Sequence, residues 1–242
     1  MDIPEKATRR IMNDSYLDNL YREELNLIFG AVTSNQKNQI LEIGSAGGNT
    51  KSVYPNVITS DVRAADGVDL VMRAELISFG DQTLDIIFGM DAFHHVRDPE
   101  QHLREVSRTL RVGGNALYIE PNWNNFSRFC FKILLKYLHP EPYDDEIEEW
   151  KLTDLDPMMG NQSQAYNIFV RDLEKFNALF PNIKVEILNP IKGIAFLLSG
   201  GVHTRLPIPS GILLQISRFE NSRPSLLSKF ALGRLIRLTK TS

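Results

Sequence analysis

The stretch that most constrains this chain runs from Asn38 to Lys51 and reads NQILEIGSAGGNTK. Gln39 to Ile43 alternates polar and apolar residues and is rich in β-formers, which predicts a buried strand. The strand carries an acid near its end, Glu42, and passes into Gly44, Ser45, Ala46, Gly47 and Gly48. Small residues there let the backbone turn sharply and let a ligand lie against it. A plain strand-to-helix turn uses the same glycines, so the bend alone does not decide function. The next acid says more. Pro55 stops whatever follows the bend, and VITSD (Val57 to Asp61) reads as a second strand ending in Asp61. Nucleotide-binding α/β folds grip a ribose diol at such an acid, because a carboxylate accepts from two hydroxyls at once. Glu42 precedes the glycines, and the spacing is ExGxAxG rather than the GxGxxG of dinucleotide sites.

Further strand signals follow in order. Val68 to Met72 reads as a third strand and LDIIFG (Leu84 to Gly89) as a central parallel one, being nearly all apolar. Asn115 to Glu120 reads as a fifth. Helical spacing covers Tyr16 to Val32, capped by Asp14 or Ser15, and a second helix starts at Asp98-Pro99-Glu100, runs through Leu110 and ends at Gly113-Gly114. Only a turn or two of helix fits between Thr50 and Pro55. Strands separated by helices or turns give an α/β fold with a doubly wound, mostly parallel sheet.

Here the sequence resembles the class I S-adenosylmethionine-dependent methyltransferases. The likeness rests on the ExGxAxG bend, on Asp61, and on LDIIFGMDAFHHVRDPEQHLREVSRTLRVGG, with its paired histidines after strand four and its VGG turn before strand five. It covers about Ile40 to Pro121 and is nearest to small-molecule enzymes of the ubiquinone and menaquinone type. It implies a seven-stranded Rossmann-like sheet whose strand seven is antiparallel, and S-adenosyl-L-methionine as cofactor. The implied cofactor residues are Glu42, Gly44, Ser45, Ala46 and Gly48 at the methionine moiety and Asp61 with Val62 at the ribose. Ala74 and Glu75 fall near the adenine, and Met90 and Asp91 lie just past strand four. Arg73 stands where the family usually has an aspartate; it has donors only, so Asp69, Glu75 or a backbone carbonyl would have to accept from the adenine amine. The short segment after the bend leaves the cofactor's carboxylate end more exposed, or closed by another part of the chain.

The rest of the chain decorates that core. The expected organisation is a single domain: an N-terminal helical segment (1–37), a cofactor half (38–121), a substrate-covering insertion (122–169), a closing helix and strands (170–200) and a C-terminal helical extension (201–242). Within the insertion, Phe126 to Leu138 reads as a helix. Val170 to Phe180 reads as another, Ile183 to Leu188 and Ile194 to Leu198 as a strand pair, and Leu213 to Phe219 and Ser225 to Leu238 as helices. Lys229, Arg234, Arg237 and Lys240 make the last one basic and amphipathic, suited to an anionic membrane surface or to docking with its basic face in solvent.

For the chemistry, methyl transfer from a sulfonium needs an acceptor held in line, and a base when that acceptor is a hydroxyl. Candidate bases are His94, His95, Glu120 and His139, the last beside Glu141 in HPEP. No His, Asp or Glu cluster has metal-ligand spacing, so no metal is expected. The net charge of -3 gives no case for nucleic acid, and Cys130 is the single cysteine, which excludes an intrachain disulfide. MDIPEKATRR lacks the apolar run of a signal peptide. A cytoplasmic protein follows, peripheral at the inner membrane face if the basic helix meets lipid. The expected partner is a small-molecule acceptor, saccharide-containing or lipid-linked; the oligomeric state is open. A nicotinamide-dependent reductase and a non-catalytic nucleotide-binding protein of the same fold are the competing functions.

Overall fold

Apolar residues alternate along each central strand, and that alternation builds two cores, one on each face of a seven-stranded sheet. The computed structural model describes residues 3–33, 39–135, 141–154, 156, 158–202 and 204–242. Two helices, α1 (Ile3–Asn13) and α2 (Ser15–Gly30), precede β1 (Ile40–Ile43), β2 (Ile58–Asp61), β3 (Leu70–Val71) and β4 (Leu84–Met90). Next come α3 (Pro99–Thr109) and β5 (Leu110–Pro121), then the short helices α4 (Asn125–Phe129), α5 (Gln164–Tyr166) and α6 (Leu173–Leu179). The chain closes with β6 (Ile183–Ile191), α7 (Ile194–Ser199), α8 (Ser210–Asn221), α9 (Pro224–Phe230) and β7 (Gly233–Lys240).

The strand order is β3-β2-β1-β4-β5-β7-β6, with β5–β7 and β6–β7 antiparallel and the other pairs parallel. Along β4, Ile87 faces Leu103 and Val106 of α3, while Ile86 and Phe88 face Leu25 and Ile28 of α2. β5 repeats the pattern, Ala116 and Tyr118 on one side and Leu117 and Ile119 on the other. Side chains that alternate across a sheet require exactly this two-sided cover when both faces are buried. Pro190 sits in β6, the outermost strand, where a missing ladder donor is tolerated.

Two expectations fail here, both beyond β6. Ile194 to Leu198 is helix α7 rather than a strand. A short apolar run is ambiguous between the two. Its resolution comes from α8, whose Glu220 accepts from the backbone N–H of Ile194 at 2.6 Å and of Ala195 at 3.3 Å and so caps α7. The basic amphipathic helix over Ser225 to Leu238 is also not present. The helix stops at Phe230, and Gly233–Lys240 is β7, inserted between β5 and β6. Gly233 weakens a helix there by about 1 kcal/mol, and ladders on both sides favour the strand. Its cations are consumed inside the protein: Arg237 pairs with Glu186 at 2.9 Å and donates to the Ala31 carbonyl, and Lys240 Nζ donates to the Leu110 carbonyl. Membrane contact through that helix loses its structural basis. No described helix is long and apolar enough to cross a membrane.

Smaller shifts are local. Leu110 already pairs with Leu84, so β5 begins where α3 ends and Gly113-Gly114 lies within the strand. The Phe126–Leu138 helix is α4 followed by a π-turn, Cys130–Leu134, and its last residues lie outside the described chain. The Val170–Phe180 helix begins earlier, at α5, and reaches α6 through a second π-turn, Asn167–Arg171.

Leu235 is fully buried in β7. Leu235→Ala is expected to cost about 2–5 kcal/mol in chemical denaturation, whereas Lys229→Ala on exposed α9 stays within about 0.5 kcal/mol; a small effect at Leu235 would contradict a central strand here.

Candidate functional site

The carboxyl edge of the parallel strands opens into a cavity of about 910 Å³, within the range of small-molecule sites. Pairing of Ile43 with Ser60 brings the tips of β1 and β2 side by side. Between them the backbone turns at Gly44, with φ +69°. A Cβ on Gly44 would lie 2.6 Å from Cβ of Ala92, so the residue is glycine for both conformation and room. Asp61 reaches across from β2 and accepts from the Ala46 backbone N–H at 3.0 Å and from that of Arg63 at 3.1 Å. This fixes the bend and leaves the carboxylate at the cavity wall.

Glu42 lies under the bend and is 3% exposed. One oxygen accepts from Thr50 Oγ1 at 2.8 Å, and Thr50 in turn meets Tyr21 OH of α2 at 2.6 Å. The other, Oε2, is buried without a hydrogen-bond partner among the described residues, and Glu42 lines the cavity. Burial, then the nearby charge of Asp61, push its carboxyl up to about 7 against the Thr50 hydrogen bond. An orphaned carboxylate oxygen, a bare backbone bend and a second acid at the neighbouring tip fit the ammonium and ribose of a nucleoside that bears an amino acid.

Most sequence candidates meet at this cavity. Gly44, Ser45 and Ala46 line it, as do Val62 beside Asp61, and Ala74 and Glu75 after β3. Met90, Asp91, His94 and His95 line it beyond β4. Gly48 does not; at φ +69° it packs against Gly67, whose carbonyl oxygen would be 2.0 Å from an added Cβ. Asp69 does not either, being engaged by Lys51 and the Thr59 backbone N–H. Glu75 does, with Oε1 accepting from the N–H groups of Arg97 and Asp98 and Oε2 3.5 Å from Arg73. His139 lies outside the described residues.

Glu120, at the end of β5, is fully buried and outside the cavity lining. Its Oε1 accepts from Ala92 and Phe93 N–H, and its Oε2 from His94 N–H at 3.2 Å and His94 Nδ1 at 2.6 Å. Four donors fill the four lone-pair positions of a carboxylate. Glu120 therefore fastens the turn Phe93–His95 and has no capacity left to act as a base. His94 Nε2 lies 3.2 Å from Glu141 Oε2. Burial opposes the charged ring, but Glu120 and Glu141 outweigh it and hold the imidazolium up to about 10. A histidine that keeps its proton so firmly accepts none at neutral pH.

Sequence reasoning missed two contributions. Lys192, just past β6, is 6% exposed and pairs with Glu24 of α2 at 3.0 Å and with Asp91; nothing local in NPIKG marks it. Burial disfavours its charge, yet the two acids hold its pKa above the ordinary lysine value. The second is α1. Thr8 would collide with a Cβ on Gly47, Thr8 and Ile11 line the cavity, and Arg10 ties the helix to the Ser199 carbonyl at 2.9 Å. This helix and α2 close the end that the short turn Asn49–Ser52 leaves uncovered.

Gly44→Ala is expected to lower stability by about 1–3 kcal/mol in chemical denaturation, because it combines a left-handed backbone with the Ala92 overlap; a neutral effect would mean that the bend is not held as described.

Residues 42–118 match the family profile described as a methyltransferase domain. The solved YcgJ protein of Bacillus subtilis shares the fold at 19% identity and a TM-score of 0.51, over 91% of this chain and 99% of that one. A putative methyltransferase from an antibiotic biosynthesis pathway of Anabaena variabilis is similar at 12% identity and a TM-score of 0.51, over 90% and 97%. A complex of the Haloferax volcanii Trm112 methyltransferase activator with a putative methyltransferase is similar at 12% and 0.53, over 100% and 98%. No curated protein sequence matches the chain. The profile of a methyltransferase domain thus spans the strand tips that build the site, and the solved structures share the fold around them.

Proposed function

We propose that the chain transfers a methyl group to a small amphiphilic acceptor, saccharide-containing or lipid-linked. The observation that carries this reading is the shape of the cavity wall. Its polar part is the set of strand tips around Glu42 and Asp61. It continues into an apolar part formed by Leu17 and Leu20 of α2, Phe196 of α7, Leu206, and Leu134 and Met158 of the insertion. An acceptor with both apolar and polar portions matches such a wall, and burial contributes about 25 cal/mol per Å² of apolar area.

S-adenosyl-L-methionine supplies an electrophilic methyl on a sulfonium, a good leaving group. The chain's residues then have three tasks. Glu42, with its unpartnered oxygen, accepts from the ammonium, and Asp61 accepts from the ribose hydroxyls. The apolar wall excludes water and orients the acceptor, and orientation accounts for about 7–11 kcal/mol of such barriers. Proton removal from a hydroxyl acceptor does not fall to Glu120, whose lone pairs are filled, or to His94, whose ring is held protonated between two carboxylates.

Calorimetry with S-adenosylhomocysteine tests the cofactor residues. Asp61→Ala removes a charged acceptor worth about 1.5–3 kcal/mol, so binding weakens roughly tenfold to hundredfold. Glu42 keeps its proton below about pH 7 in the free protein. A proton held more tightly folded than unfolded stabilises the fold at low pH, and that benefit is lost as pH rises towards 7. Ionisation leaves a carboxylate for the ammonium, so affinity rises between pH 6 and 8, and Glu42→Gln flattens the rise. For the reaction, methyl-tritiated cofactor with cell extract is expected to label an organic-extractable small molecule or lipid. Binding without label supports a non-catalytic protein, and stabilisation by NADH instead of S-adenosylmethionine supports the reductase.

A further inference from the structure

We propose that His94, His95 and Glu141 form a binding site for one divalent transition-metal cation of the zinc class, with an open coordination position facing the acceptor part of the cavity. The sequence hides the site, because two adjacent histidines are completed by an acid far along the chain. Folding brings one donor atom from each residue within 4.8 Å of the others. His94 Nε2 lies 3.2 Å and His95 Nε2 3.8 Å from Glu141 Oε2. Two neighbouring ligands on a tetrahedral zinc, at about 2.0–2.1 Å from the metal, are separated by about 3.3 Å. The donors thus stand near coordination distance before any cation arrives. All three residues line the cavity.

The surroundings are those of a ligand set. Glu120 holds His94 by Nδ1, which directs Nε2 at the cluster and fixes the tautomer that a metal requires. Gln162 Nε2 donates at 2.6 Å to Oε2 of Glu141, the same oxygen that faces the histidines, and so holds the carboxylate at the cluster. The backbone of the cluster is clamped as well, since the His94 carbonyl accepts from Asn161 N–H at 2.9 Å and leaves no room for a side chain at Gly160. Charge points the same way. The His94, Glu120 and Glu141 side chains are 4%, 0% and 9% exposed. Two buried carboxylates, Glu120 and Glu141, thus flank the His94 ring, and buried charge of one sign needs a partner of the other. A divalent cation at the cluster supplies it.

Three protein ligands and one open position are the arrangement of catalytic rather than structural zinc. A hydroxyl bound at that position becomes more acidic, which supplies the activation that Glu120 and His94 do not. This role rests on the methyl-transfer reading; binding of the metal does not. The test is titration of the full-length protein, stripped with chelator and dialysed, with Zn²⁺ in calorimetry and with Co²⁺ in visible absorption. The expected result is one equivalent of Zn²⁺, a tetrahedral Co²⁺ spectrum, and at least tenfold weaker binding in His95→Ala and in Glu141→Gln, with circular dichroism showing both variants folded. Folded wild-type protein that takes up no Zn²⁺, or variants that bind it as tightly as wild type, would overturn the site. Failure here with retained S-adenosylhomocysteine binding leaves the methyltransferase reading intact.

Discussion

Parallel pairing of β1 with β2 is the constraint on which the rest depends. With Ile43 opposite Ser60, Glu42 and Asp61 stand at adjacent strand tips and the chain between them must turn back at once. Gly44 permits the turn, and Asp61 ties it down through the Ala46 N–H. A shift of one residue in this pairing would turn the slipped strand over and leave the two acids on opposite faces of the sheet. The hydrophobic alternation that buries Leu41 and Ile43 on one side and Ile40 on the other prevents that shift. Packing of the two cores thus decides where the polar chemistry stands.

The walls above the strand tips come from parts of the chain distant in sequence. Helices α1 and α2 close one end, α7 and the residues after it form an apolar side, and the insertion brings Glu141 and Gln162 down onto the histidines. Ion pairs and a hydrogen bond hold several of these pieces in register. Lys192 joins α2 to the turn after β4 through Glu24 and Asp91, and Arg10 latches α1 onto α7. Removing one partner from the buried Lys192 cluster would leave uncompensated charge facing the cavity, so these contacts bear on its shape as much as on stability.

Legibility in the sequence followed the range of the interactions. β1, β2, β4 and the Asp98-capped helix were readable because their signals lie within a few residues: alternation, a terminal acid, Pro at the first helical turn. α7 was not, because its cap is Glu220 from another helix. β7 was not, because Leu226, Leu227, Phe230 and Leu235 fit a helical face as well as they fit a helix followed by a strand, and only β5 and β6 decide between them. At the site, Glu42, Asp61 and the bend were local motifs. The fastening role of Glu120 required knowing that β5 lies beside β4, and the convergence of His94, His95 and Glu141 required the path of the insertion.

The central claim is that the paired acids and the bend between them form the cofactor cradle. A crystal structure of the protein grown with S-adenosylhomocysteine tests it most directly. The account predicts a ligand lying along Gly44–Ala46, its ribose hydroxyls on Asp61 and its ammonium on Glu42. A ligand bound elsewhere on the protein, or one leaving Glu42 and Asp61 without contact, would contradict it.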